Sequence, residues 1–134
     1  NDRVLSDAIV RGVSRMNSEL IFVGLATSDI MREAAEAAGL RFAGEAFADR
    51  VYNPDGTLQS RKVAGSVIKD PEQAAKQAVS IAVENRVTAF DGTKVELVAD
   101  TLCLHGDNPA ALKNARLVRS ALEQNGVEVR SLRS

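Results

Sequence analysis

The chain has 134 residues, a length typical of one domain over 1–134, and its 45% hydrophobic content is ordinary for a globular protein. Its 17 basic and 18 acidic side chains leave a net charge of -1, and only 4% of the residues are aromatic, so a nucleic-acid-binding protein is not favoured. The longest apolar run, 20–26, is far shorter than the about 20 residues that span a bilayer, and a lone cysteine, Cys103, excludes an internal disulfide and favours a reducing, cytoplasmic compartment.

Apolar periodicity predicts two helix–strand pairs in the first third of the chain. Residues 4–13 have helical spacing, and 20–25 form an unbroken apolar run that is typical of a strand buried on both faces. A second helix is predicted over 31–38, ending at Gly39, and a second strand over 40–47. The candidate helix caps are short polar residues: Asp2 or Ser6 for the first helix, and Thr27, Ser28 or Asp29 for the second.

The next connection is long enough to be an active-site arm. It runs from 51 to 68 and contains Asn53-Pro54-Asp55-Gly56, a strong turn sequence. Asp70-Pro71 then predicts a helix start, because Asp caps well and Pro fits the first helical position.

The last third of the chain alternates in the same way. A hairpin is predicted over 87–97, a strand over 98–104, a helix from Asp107-Asn108-Pro109 to Leu122, and a last strand over 127–129. This alternation predicts an α/β fold with a mainly parallel sheet.

One cluster of polar side chains surrounds the end of the second predicted strand. Its members are Glu45, Asp49, Arg50 and Tyr52, with Arg61 beyond the turn. Parallel α/β sheets bind ligands at the carboxyl ends of their strands. A carboxylate pair can divide acid and base work, and Arg binds a carboxylate or phosphate through two hydrogen bonds. A surface salt-bridge cluster that caps the strand would give the same pattern.

A second cluster follows the strand over 98–104. The only histidine, His105, lies at the carboxyl end of this strand, and Asp107 is placed to cap the next helix or to orient His105. A hydrogen-bonded rim histidine and a plain helix cap would also fit. Cys103 lies between two leucines, a pattern that indicates a core residue rather than a nucleophile. Neither a spaced pair of metal ligands nor a Gly-rich phosphate loop occurs.

A set of short motifs runs in order through nearly the whole chain. They are Gly24-Leu25-Ala26, 44–52, Asp55-Gly56, Leu58, Arg61, Gly65, Ile68, Asp70-Pro71, Gln77, Asp100-Thr101, Cys103 and His105-Gly106-Asp107. In this pattern the chain resembles the LamB/YcsF family, the lactam-utilisation proteins that form the A subunit of bacterial 5-oxoprolinase. The resemblance implies part of a (β/α) barrel like those of glycoside hydrolases and deacetylases.

The resemblance also implies a reaction, the ATP-dependent opening of the 5-oxoproline lactam to glutamate. ATP with Mg²⁺ and the 5-oxoprolinase subunits B and C are the implied cosubstrate and partners. On this interpretation Arg50 and Arg61 bind anions, and Glu45 or Asp49 acts as base, orients water or holds Mg²⁺ with the nucleotide. His105 and Asp107 form a proton-transfer pair, and Tyr52 donates a hydrogen bond to developing negative charge.

Two other functions stay open at this point. One is a metal-dependent, deacetylase-like hydrolase of another amide, and the other is a non-catalytic assembly subunit or an inactive fragment. Family members are considerably longer, so this chain resembles only their carboxyl-terminal part. A barrel cut open has unpaired strand edges, and we therefore expect either self-association or a missing first half.

Overall fold

The structure, a computed structural model, describes residues 2–107, 109 and 111–132. Within these ranges the chain forms four helices and five strands, in an order that confirms the predicted α/β alternation. They are α1 (Arg3–Met16), β1 (Ile21–Leu25), α2 (Asp29–Ala37), β2 (Arg41–Phe47), α3 (Pro71–Glu84), β3 (Arg86–Thr88), β4 (Lys94–Glu96), β5 (Thr101–Cys103) and α4 (Ala111–Gln124).

Three strands form a parallel sheet in the order β1-β2-β5, and β3 and β4 form a separate antiparallel hairpin. Glu45 of β2 lies in register with Leu25 on one side and with Thr101 on the other. The mainly parallel sheet and the hairpin agree with the predictions. The carboxyl ends of β2 and β5 therefore lie side by side.

Side-chain caps begin three of the helices where the sequence predicts them. The Asp2 carboxylate accepts a hydrogen bond from a first-turn backbone N–H of α1, and the Asp70 carboxylate does the same for α3. The hydroxyl of Ser28 accepts the corresponding hydrogen bond in α2. Pro71 occupies the first turn of α3, where its missing N–H costs nothing.

Helices cover one face of the parallel sheet. Phe22 of β1 packs with residues of α1 and α2 such as Val10 and Ala35. Ala46 of β2 packs against Ile81 of α3, and a further cluster joins α3 to α4. None of the helices in the described ranges is long and apolar enough to cross a membrane.

The prediction that β1 is buried on both faces is wrong. Val23 is 43% exposed, whereas its neighbour Phe22, which packs against α1 and α2, is only 8% exposed. The three strands form an open sheet, so the described ranges do not show the expected barrel.

Near the carboxyl end the predicted elements are shorter or absent. β5 covers only 101–103, and residues 127–129 form no strand. Asp107 is exposed and lies before the cap position of α4, which begins at Ala111, so it is not the predicted helix cap. The part of that prediction that concerned Asn108 lies outside the described residues.

Candidate active site

The two predicted clusters meet at one edge of the parallel sheet. Phe47 and Cys103 are in register at the ends of β2 and β5, and Asp49 and His105 each follow two residues later. Because adjacent parallel strands carry their side chains in step, Asp49 and His105 come into direct contact.

The Asp49 carboxylate holds both the ring and the backbone of His105. Each of its oxygens lies 2.9 Å from Nδ1, and Oδ2 also accepts a hydrogen bond from the backbone N–H of His105 at 3.0 Å. The Asp49 side chain is only 3% exposed and that of His105 is 20% exposed. The carboxylate therefore fixes the ring orientation at the rim of the sheet.

Arg61 reaches the opposite nitrogen of the same ring. Its Nη2 lies 2.7 Å from Nε2 of His105, and Arg61 comes from the long connection 51–68. A guanidinium only donates hydrogen bonds, so Nε2 accepts and Nδ1 carries the proton that is donated to Asp49. The result is a neutral imidazole in one tautomer between a carboxylate and a guanidinium.

Aromatic and carboxylate neighbours complete this face of the sheet. The rings of Phe47 and His105 are stacked, with centroids 5.9 Å apart and planes 17° apart. Burial, and secondarily the carboxylates of Glu45 and Asp49, raise the pKa of the Cys103 thiol. A raised pKa disfavours the thiolate, in agreement with a non-nucleophilic Cys103.

Arg50 lies beside this cluster but is buried, at 6% exposure. Its Nη2 donates to the carbonyl of Gln59 at 2.7 Å and its Nε to that of Ser66 at 3.4 Å. Burial, and secondarily the charge of Arg61, lower the pKa of the Arg50 guanidinium. These bonds hold both arms of the connection 51–68, so the position of Arg50 favours a structural role over the predicted anion binding.

Tyr52 is fully buried, and its hydroxyl accepts a hydrogen bond from the backbone N–H of Phe47 at 2.8 Å. Burial is the main cause that raises its pKa from 10.0 to about 12. A phenol with no exposed surface does not reach a substrate, so its position does not support the predicted hydrogen bond to developing charge. Instead it fixes the end of β2.

Gln77 of α3 is a positioning residue that neither predicted cluster includes. Its Nε2 lies within hydrogen-bond distance of three carbonyls, those of Phe47 (2.9 Å), Ala48 (3.2 Å) and Arg50 (2.8 Å). One amide thus holds the turn that carries Asp49. Its only signal in the sequence is its place among the motifs of the family resemblance.

A cavity of about 500 Å³ opens beside His105. It is lined by Arg61, Val67, Ile68, Lys69, His105, Asp107, Pro109 and Asn114. The cavity thus brings together three predicted site residues, Arg61, His105 and Asp107, whereas Glu45, Arg50 and Tyr52 are not among its lining residues. Larger clefts beside α4 and α3 lack both Arg61 and His105, so we place the candidate site in the smaller cavity.

Comparisons with known proteins agree along the whole chain. The model of the LamB/YcsF family matches residues 1–134. The A subunit of 5-oxoprolinase from Natranaerobius thermophilus is 44% identical over 131 residues, and that from Thermococcus sibiricus is 42% identical over 132 residues; each match covers 98% of this chain and 51% of the relative.

Among solved structures, the lactam utilization protein from Thermus thermophilus superposes with a TM-score of 0.88 at 44% identity. That match covers 98% of this chain and 52% of the other. The chain therefore spans about half the length of the relatives it matches.

Proposed function

Because the chain belongs to the LamB/YcsF family, we propose that it supplies part of the A subunit of a 5-oxoprolinase. In this proposal the reaction is hydrolysis of the cyclic amide of 5-oxoproline to glutamate with cleavage of ATP, in a complex with subunits B and C. The observation that carries the proposal is the imidazole of His105, held between Asp49 and Arg61 at the wall of a cavity.

The chemistry requires a base for water. An unstrained amide is a poor electrophile, so its opening needs an activated nucleophile and stabilisation of negative charge. With Nδ1 committed to Asp49, Nε2 of His105 holds the lone pair that takes a proton from water. Asp49 also stabilises the imidazolium that this transfer forms, as carboxylates do in hydrolase triads.

Arg61 supplies the positive charge. Its side chain is exposed, and Lys69 lines the same cavity, so the two cations offer a site for the carboxylate of the substrate. When Arg61 binds that carboxylate it releases Nε2, and His105 becomes available as a base. Asp107, two residues after His105, is the second proton carrier of the proposal, and Glu45 orients water on the same sheet face.

The described residues do not by themselves fit ATP with Mg²⁺. Magnesium bound with a nucleotide usually takes one or two protein carboxylates together with the phosphates. Among the described lining residues of the cavity the only carboxylate is that of Asp107, to which the proposal gives a proton-transfer role. Within the described ranges no group of three His, Cys, Asp or Glu residues is placed to hold a metal ion. The roles proposed for the residues of this chain therefore do not include contact with the nucleotide.

We also infer that the open sheet is part of a (β/α) barrel. β1 and β5 each have one strand edge without a partner among the described strands, and Val23 on β1 is 43% exposed. Relatives about twice as long supply enough chain for the remaining strands.

The test is 5-oxoproline-dependent ATP hydrolysis by the complete complex. We expect His105→Gln to lower kcat by about 10²- to 10⁴-fold, the usual contribution of a general base. Arg61→Gln is expected mainly to raise KM. Arg119→Gln, which removes an exposed arginine paired with Glu123 on α4, is the matched control.

Unchanged kcat in His105→Gln would remove the catalytic assignment. A protein that is needed for turnover but tolerates both site substitutions would instead be a non-catalytic assembly component. Hydrolysis of other amides that depends on a tightly bound metal, with no response to 5-oxoproline, would favour the deacetylase-like alternative.

A further inference from the structure

Asn114 of α4 is the one described side chain with a buried polar atom that lacks a hydrogen-bond partner. The residue is only 4% exposed, and its Oδ1 has no partner although it is shielded from solvent. Buried amide oxygens in folded proteins nearly always accept a hydrogen bond. Because Asn114 also lines the cavity beside His105, rotation of its side-chain amide would bring Oδ1 to the cavity wall, where a ligand supplies the missing donor.

The rest of the lining limits the chemistry of that ligand. Arg61 and Lys69 provide two positive charges against the single carboxylate of Asp107, and this excess calls for an anionic group such as a carboxylate. Val67, Ile68 and Pro109 provide an apolar wall, which suits aliphatic carbons. The volume of about 500 Å³ is ordinary for a small-molecule site. An N–H donor, an anion and a short aliphatic part must therefore occur in one small molecule.

We propose that Oδ1 of Asn114 accepts a hydrogen bond from the lactam N–H of 5-oxoproline while Arg61 and Lys69 bind its carboxylate. This inference rests on the proposed function. The ring carbons then lie along Val67 and Ile68, and the amide to be opened lies on the His105 side of the cavity. Asn114 is a substrate-positioning residue in this arrangement, and it selects lactams over molecules that lack the N–H.

The test compares two ligands that differ only at the donor. One is 5-oxoproline and the other is the corresponding lactone, in which a ring oxygen replaces the N–H. Binding is measured by calorimetry on the complete subunit in its complex, without ATP, so the readout does not depend on turnover. The variants are Asn114→Leu and, as matched control, Gln124→Leu, which removes an exposed amide from the same helix.

We expect the unmodified protein and Gln124→Leu to prefer 5-oxoproline over the lactone by roughly tenfold to a hundredfold, the effect of one unpaired buried polar group. Asn114→Leu should weaken 5-oxoproline binding by a similar factor and bind the two ligands equally. Its thermal unfolding should be no lower than that of the unmodified protein, since the substitution removes a buried atom without a partner.

Two outcomes would overturn the inference, and they separate it from the proposed function. If Asn114→Leu folds and keeps the full preference for 5-oxoproline, Asn114 does not recognise the N–H, while the proposed function stands. If the unmodified complex binds neither ligand, both the inference and the placement of the substrate in this cavity are wrong.

Discussion

At the scale of single residues, the position of the proton on the His105 imidazole depends on the Asp49 carboxylate. Asp49 accepts from Nδ1 of His105, and Arg61 donates to Nε2, so the two neighbours agree on the same neutral tautomer. Sequence spacing predicts that an acid orients His105, but it indicates Asp107, two residues further along the chain. The actual partner, Asp49, is 56 residues away and comes near only through the pairing of β2 with β5.

Asp49→Asn should invert this tautomer. The new side-chain amide would donate to Nδ1, the proton would move to Nε2, and that N–H would face the donor groups of Arg61. We expect kcat of the complete complex to fall by about 10²- to 10⁴-fold, as in triads whose carboxylate is neutralised. Because His105 is the only histidine of the chain, imidazole nitrogen NMR of this chain reports the tautomer directly.

The matched control for Asp49→Asn is Glu128→Gln, which neutralises a largely exposed carboxylate. It should leave both kcat and the imidazole spectrum unchanged. A full retention of the Nδ1–H tautomer in Asp49→Asn would contradict the assigned hydrogen-bond arrangement.

The raised pKa of Tyr52 predicts that the free energy of unfolding falls at alkaline pH. Its pKa is raised from 10.0 to about 12 by burial, so the folded state keeps a proton that the unfolded state loses above pH 10. The stabilising effect is complete below pH 10 and is lost as pH rises toward 12, with a slope of about 1.4 kcal/mol per pH unit. Denaturant titrations across this range measure that slope.

Tyr52→Phe should abolish the alkaline slope and, because the N–H of Phe47 loses its acceptor, destabilise the fold by about 1–3 kcal/mol at neutral pH. Tyr52 is the only tyrosine and tryptophan is absent, so phenolate absorbance follows this one group. Ionisation near pH 10 without unfolding would contradict the buried hydroxyl.

At the scale of elements, α3 determines where β2 ends. The amide nitrogen of Gln77 lies within hydrogen-bond distance of the carbonyls of Phe47, Ala48 and Arg50. The hydroxyl of Tyr52 accepts a hydrogen bond from the backbone N–H of Phe47. The turn that carries Asp49 is therefore fixed from a helix and from a loop at the same time. Its geometry does not depend on the sheet ladder alone.

Gln77→Met keeps the side-chain length but removes the donor. The three carbonyls then lose the two N–H groups that they share, and we expect a loss of about 1–3 kcal/mol in the free energy of unfolding and a fall in kcat of the complete complex. Gln73→Met, an exposed glutamine one turn earlier on α3, is the control and should be near neutral. Equal stability of both variants would show that the Gln77 amide does not fix the turn.

The sequence predicts the elements well where the signal is local. The α3 start at Asp70-Pro71 and the caps Asp2 and Ser28 are confirmed because capping depends on neighbouring residues alone. The strand predicted over 127–129 and the two-sided burial of β1 are wrong, because both depend on which layers lie alongside. For the same reason the sequence does not reveal the contacts of Gln77 or Asn114, which arise between distant segments.

At the scale of the whole molecule, the two faces of the sheet differ in exposure at β1, and we call the face that carries Val23 the open face. Phe22 points into the layer of α1 and α2, while Val23, the next residue, is 43% exposed. In the barrel that we infer, the open face becomes the interior. An apolar residue on that face is then solvated in this chain and buried in the complete subunit.

Val23→Lys tests this difference. In the 134-residue chain we expect a change of about 0.5 kcal/mol or less in unfolding free energy, as for other exposed positions. In the complete subunit the same lysine would be buried without a partner, and we expect a loss of several kcal/mol. Phe22→Lys should destabilise both forms strongly. A small effect of Val23→Lys in both would argue against the barrel.

The hydrogen bond from Arg61 to Nε2 of His105 has a consequence for the proposed role of His105 when the cavity is empty. While no anion competes for the guanidinium, the only basic lone pair of the imidazole is blocked, and stray water is not activated. His105 then becomes able to act as a base only when the cavity is occupied, because the carboxylate that binds Arg61 also frees Nε2 from the hydrogen bond. Under the proposed function, such an interlock would confine the activation of water to protein molecules that already hold the substrate carboxylate.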